Sequence, residues 1–307
     1  MTLANTYYPH ALVFSTGIDT VQLTDVSPSR GYQVVRENQA SEAVSCFVGA
    51  SESRPTMGFT SRDIKVIVAM LAGGDEGCVD DLSGDNVIAL YRAGKPHGLR
   101  VDGATTTHIA SILTSAAMLQ LESLTARQGD FAEVTCQITA GRTAGESMTV
   151  LGSQALPAVG GCNNLYKLGK VVFNGTAIPG VTGIQLSGGV SQRTILSDGE
   201  SFPSFVGVDR IEPTLSVTTA DLNQFTEALA TSGGDAITSV ICYLQRMSET
   251  AYHYAAGSSQ HIKLTIAGGI KLVDSTRSSP AETDVMFHVR KSGTEPLLKW
   301  EVDQAIT

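Results

Sequence analysis

The sequence is poor in charged residues, aromatic residues and positive charge. Charged residues make up 17% and aromatic residues 6% of the 307 positions, and tryptophan occurs once. The 42% hydrophobic fraction excludes a disordered chain, because that much apolar surface can offset the entropy of ordering the backbone. Acidic residues outnumber basic ones by 30 to 21, which argues against an outer surface that grips nucleic acid through Lys and Arg. Only passive contact with DNA remains open.

Long hydrophobic runs and paired cysteines are also missing. No apolar stretch approaches the roughly 20 residues of a membrane helix, and no signal-peptide pattern begins the chain. We therefore expect a soluble protein without a membrane partner. Its five cysteines are widely spaced and include no C-x-x-C pair, so neither a disulfide framework nor a zinc site is predicted. We interpret them as buried small side chains in a reducing compartment: Cys46, Cys78, Cys136, Cys162 and Cys242.

Familiar catalytic motifs are absent as well. The chain has no phosphate-binding G-x-x-x-x-G-K-[ST], no dinucleotide-binding G-x-G-x-x-G, no H-E-x-x-H and no G-x-S-x-G. Its six histidines include no H-x-H pair of the kind that a two-domain cupin metalloenzyme needs. We therefore predict no catalytic residues, no cofactor, no metal and no enzymatic activity.

Short strands are what the sequence favours. It contains 31 glycines and many Thr, Ser and Val residues, which suit strands and turns better than long helices. Apolar residues alternate with polar ones around Ile262–Ile266, Val285–Val289 and Leu298–Val302, as in half-buried antiparallel sheets. Asn174-Gly175 between two apolar runs predicts a β-hairpin with a type I′ turn.

The most informative feature is an internal repeat. Three matches lie 158 positions apart: Phe47-Val48-Gly49 with Phe205-Val206-Gly207, Pro55-Thr56 with Pro213-Thr214, and Asp63-Ile64 with Asp221-Leu222. Further matches have other offsets. Gly17, Gln22 and Leu23 match Gly180, Gln185 and Leu186 at an offset of 163, and Gly73-Gly74-Asp75 matches Gly233-Gly234-Asp235 at 160. At an offset of 153, Val87-Ile88 matches Val240-Ile241, and His108-Ile109 matches His261-Ile262. The repeat predicts two homologous domains, 1–157 and 158–307, joined by the linker-like segment 156–161.

Each predicted domain is a β-sandwich or barrel with one flanking α-helix, so the fold class is mainly β. The helices are predicted at about 60–72 and 218–231. Thr60-x-x-Asp63 and Thr218-x-x-Asp221 resemble capping boxes, and paired glycines at 73–74 and 233–234 would stop the helices. The apolar stripes that face the core are Ile64, Ile67 and Leu71 in the first helix and Leu222, Phe225 and Leu229 in the second.

Three groups of residues are candidates for metal-binding or ligand-binding sites. The acidic residues Asp75, Glu76, Asp80, Asp81 and Asp85 lack the order of a Ca²⁺ loop, and we favour a solvated loop. The repeat places His108 and His261 at equivalent positions, where we favour surface residues beside a strand. The segments Arg54-Pro55-Thr56 and Glu212-Pro213-Thr214 are interpreted as bends that lead into strands rather than as binding loops.

In its duplication, repeat length, strand-helix-strand order and low charge, the chain resembles the tail tube proteins of long-tailed bacteriophages. The resemblance covers the whole chain at the level of architecture, without a diagnostic short motif. It implies self-association into rings, three chains with pseudo-sixfold symmetry, that stack into tubes around a DNA channel. It also implies contacts with other tail proteins, passive contact with viral DNA, and a place in the virion tail after synthesis in the host cytoplasm. Segments 92–107 and 247–259 are candidate arms toward the adjacent ring, or ordinary surface loops.

Two alternatives stay open. Other tail or head structural proteins, such as a distal tail ring, a baseplate hub or a decoration protein, share the β character. A DNA sliding clamp is also a trimeric, acidic ring built from a duplicated β-rich domain. A clamp needs two helices per repeat that line the hole with Lys and Arg, whereas each repeat here shows one convincing helix, and the second offers Asn223, Gln224 and Glu227.

Overall fold

The structure is a computed structural model that describes most of the chain. The described residues are 6–14, 19–20, 22–38, 45–82, 87–94, 108–113, 117–141, 148–152, 164–197, 199–220, 239–248, 252–267, 271–277, 282–291 and 294–307. Throughout them the fold is mainly β, as predicted, and the strands pair antiparallel.

We call residues 1–157 the first half and residues 158–307 the second half. The first half contains helix α1 (Ile64–Leu71) and strands β1 (Thr6–Phe14), β2 (Asp19–Thr20), β3 (Leu23–Ser29), β4 (Tyr32–Asn38), β5 (Ser45–Ser53), β6 (Thr56–Ser61), β7 (Val79–Asp81), β8 (Val87–Gly94), β9 (His108–Leu113), β10 (Ala117–Arg127), β11 (Glu133–Ala140) and β12 (Met148–Gly152). The second half contains strands β13 (Tyr166–Phe173), β14 (Thr176–Ala177), β15 (Val181–Ser187), β16 (Val190–Leu196), β17 (Pro203–Ile211), β18 (Thr214–Thr219), β19 (Ser239–Arg246), β20 (His261–Ala267), β21 (Lys271–Arg277), β22 (Thr283–His288) and β23 (Lys299–Gln304).

One central sheet runs through both halves. Its strand order is β21-β22-β18-β15-β10-β11-β6-β3, and β7 pairs with the start of β10. Each half adds a five-stranded outer sheet, ordered β12-β9-β8-β1-β2 in the first half and β14-β13-β19-β20-β23 in the second. The hairpins β4–β5 and β16–β17 form two separate two-stranded sheets. Buried side chains from the central sheet, the outer sheets and α1 make up one hydrophobic core.

Most strands of the first half have a counterpart in the second half. Hairpin β4–β5 has the same register as β16–β17 shifted by 158 residues: Tyr32 opposes Ser53 as Val190 opposes Ile211, and both hairpins have irregularities at the same two places. The β3–β6 and β15–β18 pairs also correspond at 158. Leu23 therefore corresponds to Val181, which shows that the predicted matches of Gln22 and Leu23 at an offset of 163 are wrong.

A tight turn before each hairpin follows the same repeat. Gly31 and Gly189 have φ angles of +60° and +59°, a conformation that suits glycine. A Cβ atom there would lie 2.0 Å from the Arg54 carbonyl oxygen in the first case and 1.9 Å from that of Glu212 in the second. Each of these carbonyls precedes a Pro-Thr bend that enters β6 or β18, so the two segments are bends, as interpreted from the sequence. Asn174 and Gly175 also form a left-handed turn, with φ angles of 47° and 84°.

Helix α1 is shorter than predicted. It spans Ile64–Leu71, and Ile64, Ile67 and Leu71 are fully buried, which confirms the predicted apolar stripe. The capping box is wrong, because Thr60 belongs to strand β6 and its hydroxyl lies 3.1 Å from that of Thr135. Asp63 occupies the N-cap without a side-chain capping bond.

The second predicted helix cannot begin at 218, because Thr218 and Thr219 end strand β18. Residues 221–238, which contain the rest of that prediction, lie outside the described part of the chain. The linker predicted at 156–161 also falls outside it, so the division into two domains stays a prediction.

Candidate assembly surfaces and channel face

The described part of the chain was compared with the ligand sets of metal sites. No cluster of three or more His, Cys, Asp or Glu side chains that could hold a metal occurs there. Burial raises the pKa of the Cys78 and Cys242 thiols to about 12 and that of Cys136 further, which makes all three poor nucleophiles. Within the same residues, no helix is long and apolar enough to cross a membrane.

His261 is a buried core residue, so the expectation of a surface position is wrong for it. Its Nδ1 atom accepts a hydrogen bond of 3.1 Å from the Arg246 amide. Its Nε2 atom lies 2.9 Å from the Ala255 carbonyl oxygen and donates to it, since Nδ1 is already the acceptor. Both ring nitrogens are satisfied in the neutral form, which gives His261 a structural role. The side chain of His108 lies outside the described atoms.

Backbone hydrogen bonds hold segment 252–260 to the fold, whereas the sequence made 247–259 a candidate arm. The Tyr254 amide donates to the Arg246 carbonyl over 3.1 Å, and the Ile306 amide donates to Ala256 over 2.8 Å. Tyr252, at 87% exposure, projects into solvent. The other candidate arm, 92–107, falls almost entirely outside the described residues.

The acidic segment after α1 connects the two halves. The Glu76 carboxylate accepts a hydrogen bond from the Leu297 amide over 2.7 Å and pairs with Lys291. Next to it, the Trp300 indole N–H donates to the Gly77 carbonyl oxygen over 2.6 Å. Burial acts to raise the pKa of Glu76, but the bonds from Lys291 and Leu297 outweigh it and hold that pKa below its ordinary value. The segment is therefore a structural contact between the halves, and the predicted solvated loop is wrong for Glu76. Asp80 and Asp81 belong to strand β7, and Asp85 lies outside the described residues.

Replacing this carboxylate gives a test by pH. A lowered folded-state pKa means that ionised Glu76 stabilises the fold above its unfolded pKa of about 4.3, and that this contribution is lost as pH falls through the lower folded value. Glu76→Gln should therefore cost about 1 kcal/mol at pH 7 and less as the pH falls toward 3, measured by denaturant unfolding. Glu212→Gln, in the exposed pair with Arg210, is the matched control and should change little at either pH. An equal loss for Glu76→Gln at both pH values would contradict this role.

The central sheet has one apolar and one polar face. Burial alternates strictly along β6 and β18, whose even-numbered residues are half-buried and whose odd-numbered residues are buried. Cross-strand pairing extends the half-buried rows into β11 and β22. This polar face carries mainly hydroxyl and amide groups, such as those of Thr56, Thr60, Thr135, Gln137, Ser216 and Thr218.

Few charges interrupt the polar face, and most of them are negative. Among its described side chains, Asp25, Glu122, Glu133 and Asp284 are acidic and Arg127 is basic. Glu133 also accepts from Arg62 at 2.7 Å, at the border of the face. A surface of this kind offers duplex DNA hydroxyl groups and weak repulsion, without a row of cations for phosphate.

The two halves join at one sheet junction, between β15 and β10. Residues 183–187 pair with residues 127–123 in antiparallel register. Flanking bonds extend the junction: the Gln128 amide donates to Thr182 over 2.8 Å, and the Gly188 amide donates to Glu122 over 3.1 Å. In the described residues, β3 and β21 are the terminal strands of the central sheet.

Hairpin β16–β17 of the second half lies over one end of the polar face of the first half, where Thr139 pairs with Thr56. Gln192 is the centre of this contact: its amide nitrogen donates to Gln120 over 2.7 Å, and its amide group lies 2.8 to 3.0 Å from the Thr139 hydroxyl. Gln120 in turn donates to Gln137 over 3.0 Å. As a result, Thr139 is only 2% exposed, although it belongs to the polar face.

Gly188 permits this close approach, and replacing it should open the contact. A Cβ atom at Gly188 would lie 2.0 Å from the Leu121 carbonyl oxygen. Because backbone would have to move, Gly188→Ala should cost about 2 kcal/mol or more and lower the melting temperature. Gly257→Ala is the control, since no atom lies within 4 Å of that Cβ position. Equal melting temperatures for the two variants would show that the hairpin does not press on the sheet.

Local sequence reasoning did not find the polar face or the Gln192 contact. The signal for the face was present as Ser and Thr at alternate positions of β6 and β18, but the strands that share the face are far apart in sequence. Comparison of the chain with models of known protein families and with curated proteins found no match.

Proposed function

We propose that this protein is a non-enzymatic structural subunit of a bacteriophage tail tube, in which three chains form a pseudo-sixfold ring around a DNA channel. The observation that carries the proposal is the strand order of the central sheet. The first half contributes β10-β11-β6-β3 and the second half contributes their counterparts β21-β22-β18-β15 in the same order. The halves are therefore joined head to tail.

Head-to-tail joining leaves two complementary edges. In the sheet, β15 lies at the edge of the second half and β10 at the facing edge of the first half, and within the chain these two strands pair. The terminal strands β3 and β21 are the counterparts of β15 and β10. A second chain can pair its β3 with β21 of the first chain in the same way, and repetition of this contact closes a ring. Closure also removes edges that would otherwise promote aggregation.

The width of such a ring suits duplex DNA. Three chains contribute about 24 strands at about 4.8 Å spacing, a circumference of about 115 Å. This corresponds to roughly 37 Å across, and strand tilt widens it further. The polar face then lines the channel, where hydroxyl groups and scattered carboxylates let DNA slide without sticking. The proposal includes stacking of rings into a tube, contacts with other tail proteins, a place in the virion and synthesis in the host cytoplasm.

Helix α1 gives the sliding clamp less support. The buried residues of α1 pack in the core, and the one lysine in α1, Lys65, pairs with Asp303 at 2.7 Å. A clamp would present lysine-rich helices to the hole. Other ring-forming or capsid-bound virion proteins stay as alternatives, because they would use the same β surfaces.

Negative-stain electron microscopy with sedimentation analysis of the purified protein tests the proposal. We expect a concentration-dependent shift from single chains to rings of three chains, and stacked rings at the highest concentrations. Single rings that never stack would favour a distal tail or hub protein. Monomers at every concentration, together with the absence of such rings from virions, would contradict the proposal.

A further inference from the structure

Hairpin β4–β5 is the uncovered counterpart of hairpin β16–β17. We propose that it lies over the polar face of the second half of a neighbouring copy of this chain, with Val34 packed beside Met286 and His288. This inference rests on the proposed ring and names a contact that the sheet edges alone do not require.

The covered hairpin defines which positions make such a contact. In β16–β17, the residues that are half-buried against the first half include Val190, Gln192, Val206 and Val208. They lie on both strands of the hairpin and approach strands β10 and β11. These four positions form the contact row of the hairpin.

The same row is exposed in the other hairpin. The positions 158 residues earlier hold Tyr32, Val34, Val48 and Ala50, and all four are exposed. Tyr32, Val34 and Val48 have exposed fractions of 44%, 58% and 62%, which places them among the most exposed large apolar side chains of the described residues. Apolar side chains in a row that is covered elsewhere in the same chain indicate a surface that becomes covered on assembly.

The receiving surface is uncovered in the same way. Pairing with β6 and β18 makes Met286 the counterpart of Gln137 and His288 the counterpart of Thr139. Thr139 is buried under β16–β17, whereas Met286 is 43% exposed and His288 is also exposed. By the same register, Gln120 corresponds to position 274 of β21. The contact of Gln192 with Thr139 and Gln120 thus corresponds to Val34 beside His288, with Met286 two residues away on the same face of β22.

A second copy of the chain is the occupant because only it carries the matching surface in the matching place. The chain already places one such hairpin on one such face, and ring closure brings β4–β5 over the second half of the next copy. The two junctions differ in detail, since Arg30 and Pro28 stand where Gly188 and Leu186 stand within the chain. The Cβ atom of Arg30 keeps the hairpin further from the neighbouring strand than Gly188 does. Pro28 cannot donate a backbone hydrogen bond, so the junction between chains is the weaker one and opens first.

Charge substitution tests the contact by sedimentation of the full-length protein. Val34→Asp should raise the concentration needed for ring formation by about tenfold or more, because it buries an unpaired carboxylate at the contact. His288→Lys combined with Val34→Asp should restore most of the assembly by pairing the charges. Ile195→Asp is the control, because Ile195 is 43% exposed in the covered hairpin and faces away from the contact row.

The outcomes separate this inference from the proposed function. If the wild type forms rings and Val34→Asp assembles like Ile195→Asp, the hairpin contact is wrong and the ring stands. If the wild type forms no rings, the proposed function itself fails. As a second measurement, a photo-crosslinking amino acid at position 34 should join strand β22 of another chain, whereas attachment within the same chain or to another hairpin would overturn the inference.

Discussion

Ile67→Asp should destabilise the protein strongly and lower the urea concentration at which it unfolds. Ile67 has no solvent exposure and lies in α1, which packs against β10, β11 and β23 and so contacts both halves. An unpaired carboxylate in this core should cost more than about 3 kcal/mol, measured as a loss of the free energy of unfolding in urea. Phe225, the predicted counterpart in the second half, lies outside the described residues.

The control for this substitution is Ala69→Asp, which places the same charge two residues further along α1 on its exposed side. It should change stability by less than about 0.5 kcal/mol. If Ile67→Asp and Ala69→Asp unfold at the same urea concentration, α1 is not a core element and the packing described above is wrong.

Lysines on the polar face should convert an inert channel into one that binds DNA. The triple variant Thr60→Lys, Gln185→Lys and Ser216→Lys adds three cations per chain on the polar face, or about nine in a trimeric ring. If each contacts a phosphate, affinity for duplex DNA should fall by about 10³–10⁵ between 50 and 200 mM salt. The wild type should show no measurable binding in the same fluorescence anisotropy titration.

A matched variant with lysines outside the polar face separates location from net charge. Ala72, Ser259 and Thr294 are exposed and lie away from the central sheet. Their replacement by Lys adds the same charge and should give much weaker binding with a shallower salt dependence. Equal binding by the two triple variants would show that the polar face does not enclose the DNA.

The repeat was the part of the fold that could be predicted from the sequence. Side chains that fix turns and cores recur at a constant spacing, so the Phe-Val-Gly and Pro-Thr matches predicted the register of hairpins and strands that the structure shows. Asn174-Gly175 predicted its turn because both positions need positive φ angles. The stripe of Ile64, Ile67 and Leu71 predicted the buried side of α1.

The predicted start of helix α1 was wrong because Thr is common both at helix N-caps and in strands. A Thr three residues before an Asp resembles a capping box. The alternation of half-buried and buried side chains that begins at Thr56 continues through Ser61, however, so Thr60 belongs to strand β6. The Asp63 amide bonds to the Ser61 hydroxyl over 3.0 Å instead. The helix ends at Leu71, just before the two glycines that were predicted to stop it. Gly74 is also required by a close approach, because a Cβ atom there would lie 1.6 Å from the Val79 carbonyl oxygen.

The candidate assembly surfaces could not be predicted because they depend on distant pairing. Strands β10 and β15 are about 60 residues apart, and nothing in either strand specifies the other as its partner. The polar face spans strands from both halves, and the contact of Gln192 with Thr139 exists only after β15 has paired with β10. Local periodicity predicts which side of a strand is buried, whereas neighbouring strands are chosen by the whole fold.

High-resolution cryo-electron microscopy of the assembled protein tests the ring most directly. We predict three chains per ring, a continuous inner sheet in which β3 of one chain pairs with β21 of the next, and Ser29 opposite Thr276 as Ser187 is opposite Ser123. The polar face should line the channel. A ring closed through other strands, a polar face turned outward, or a channel lined by basic helices would contradict the account.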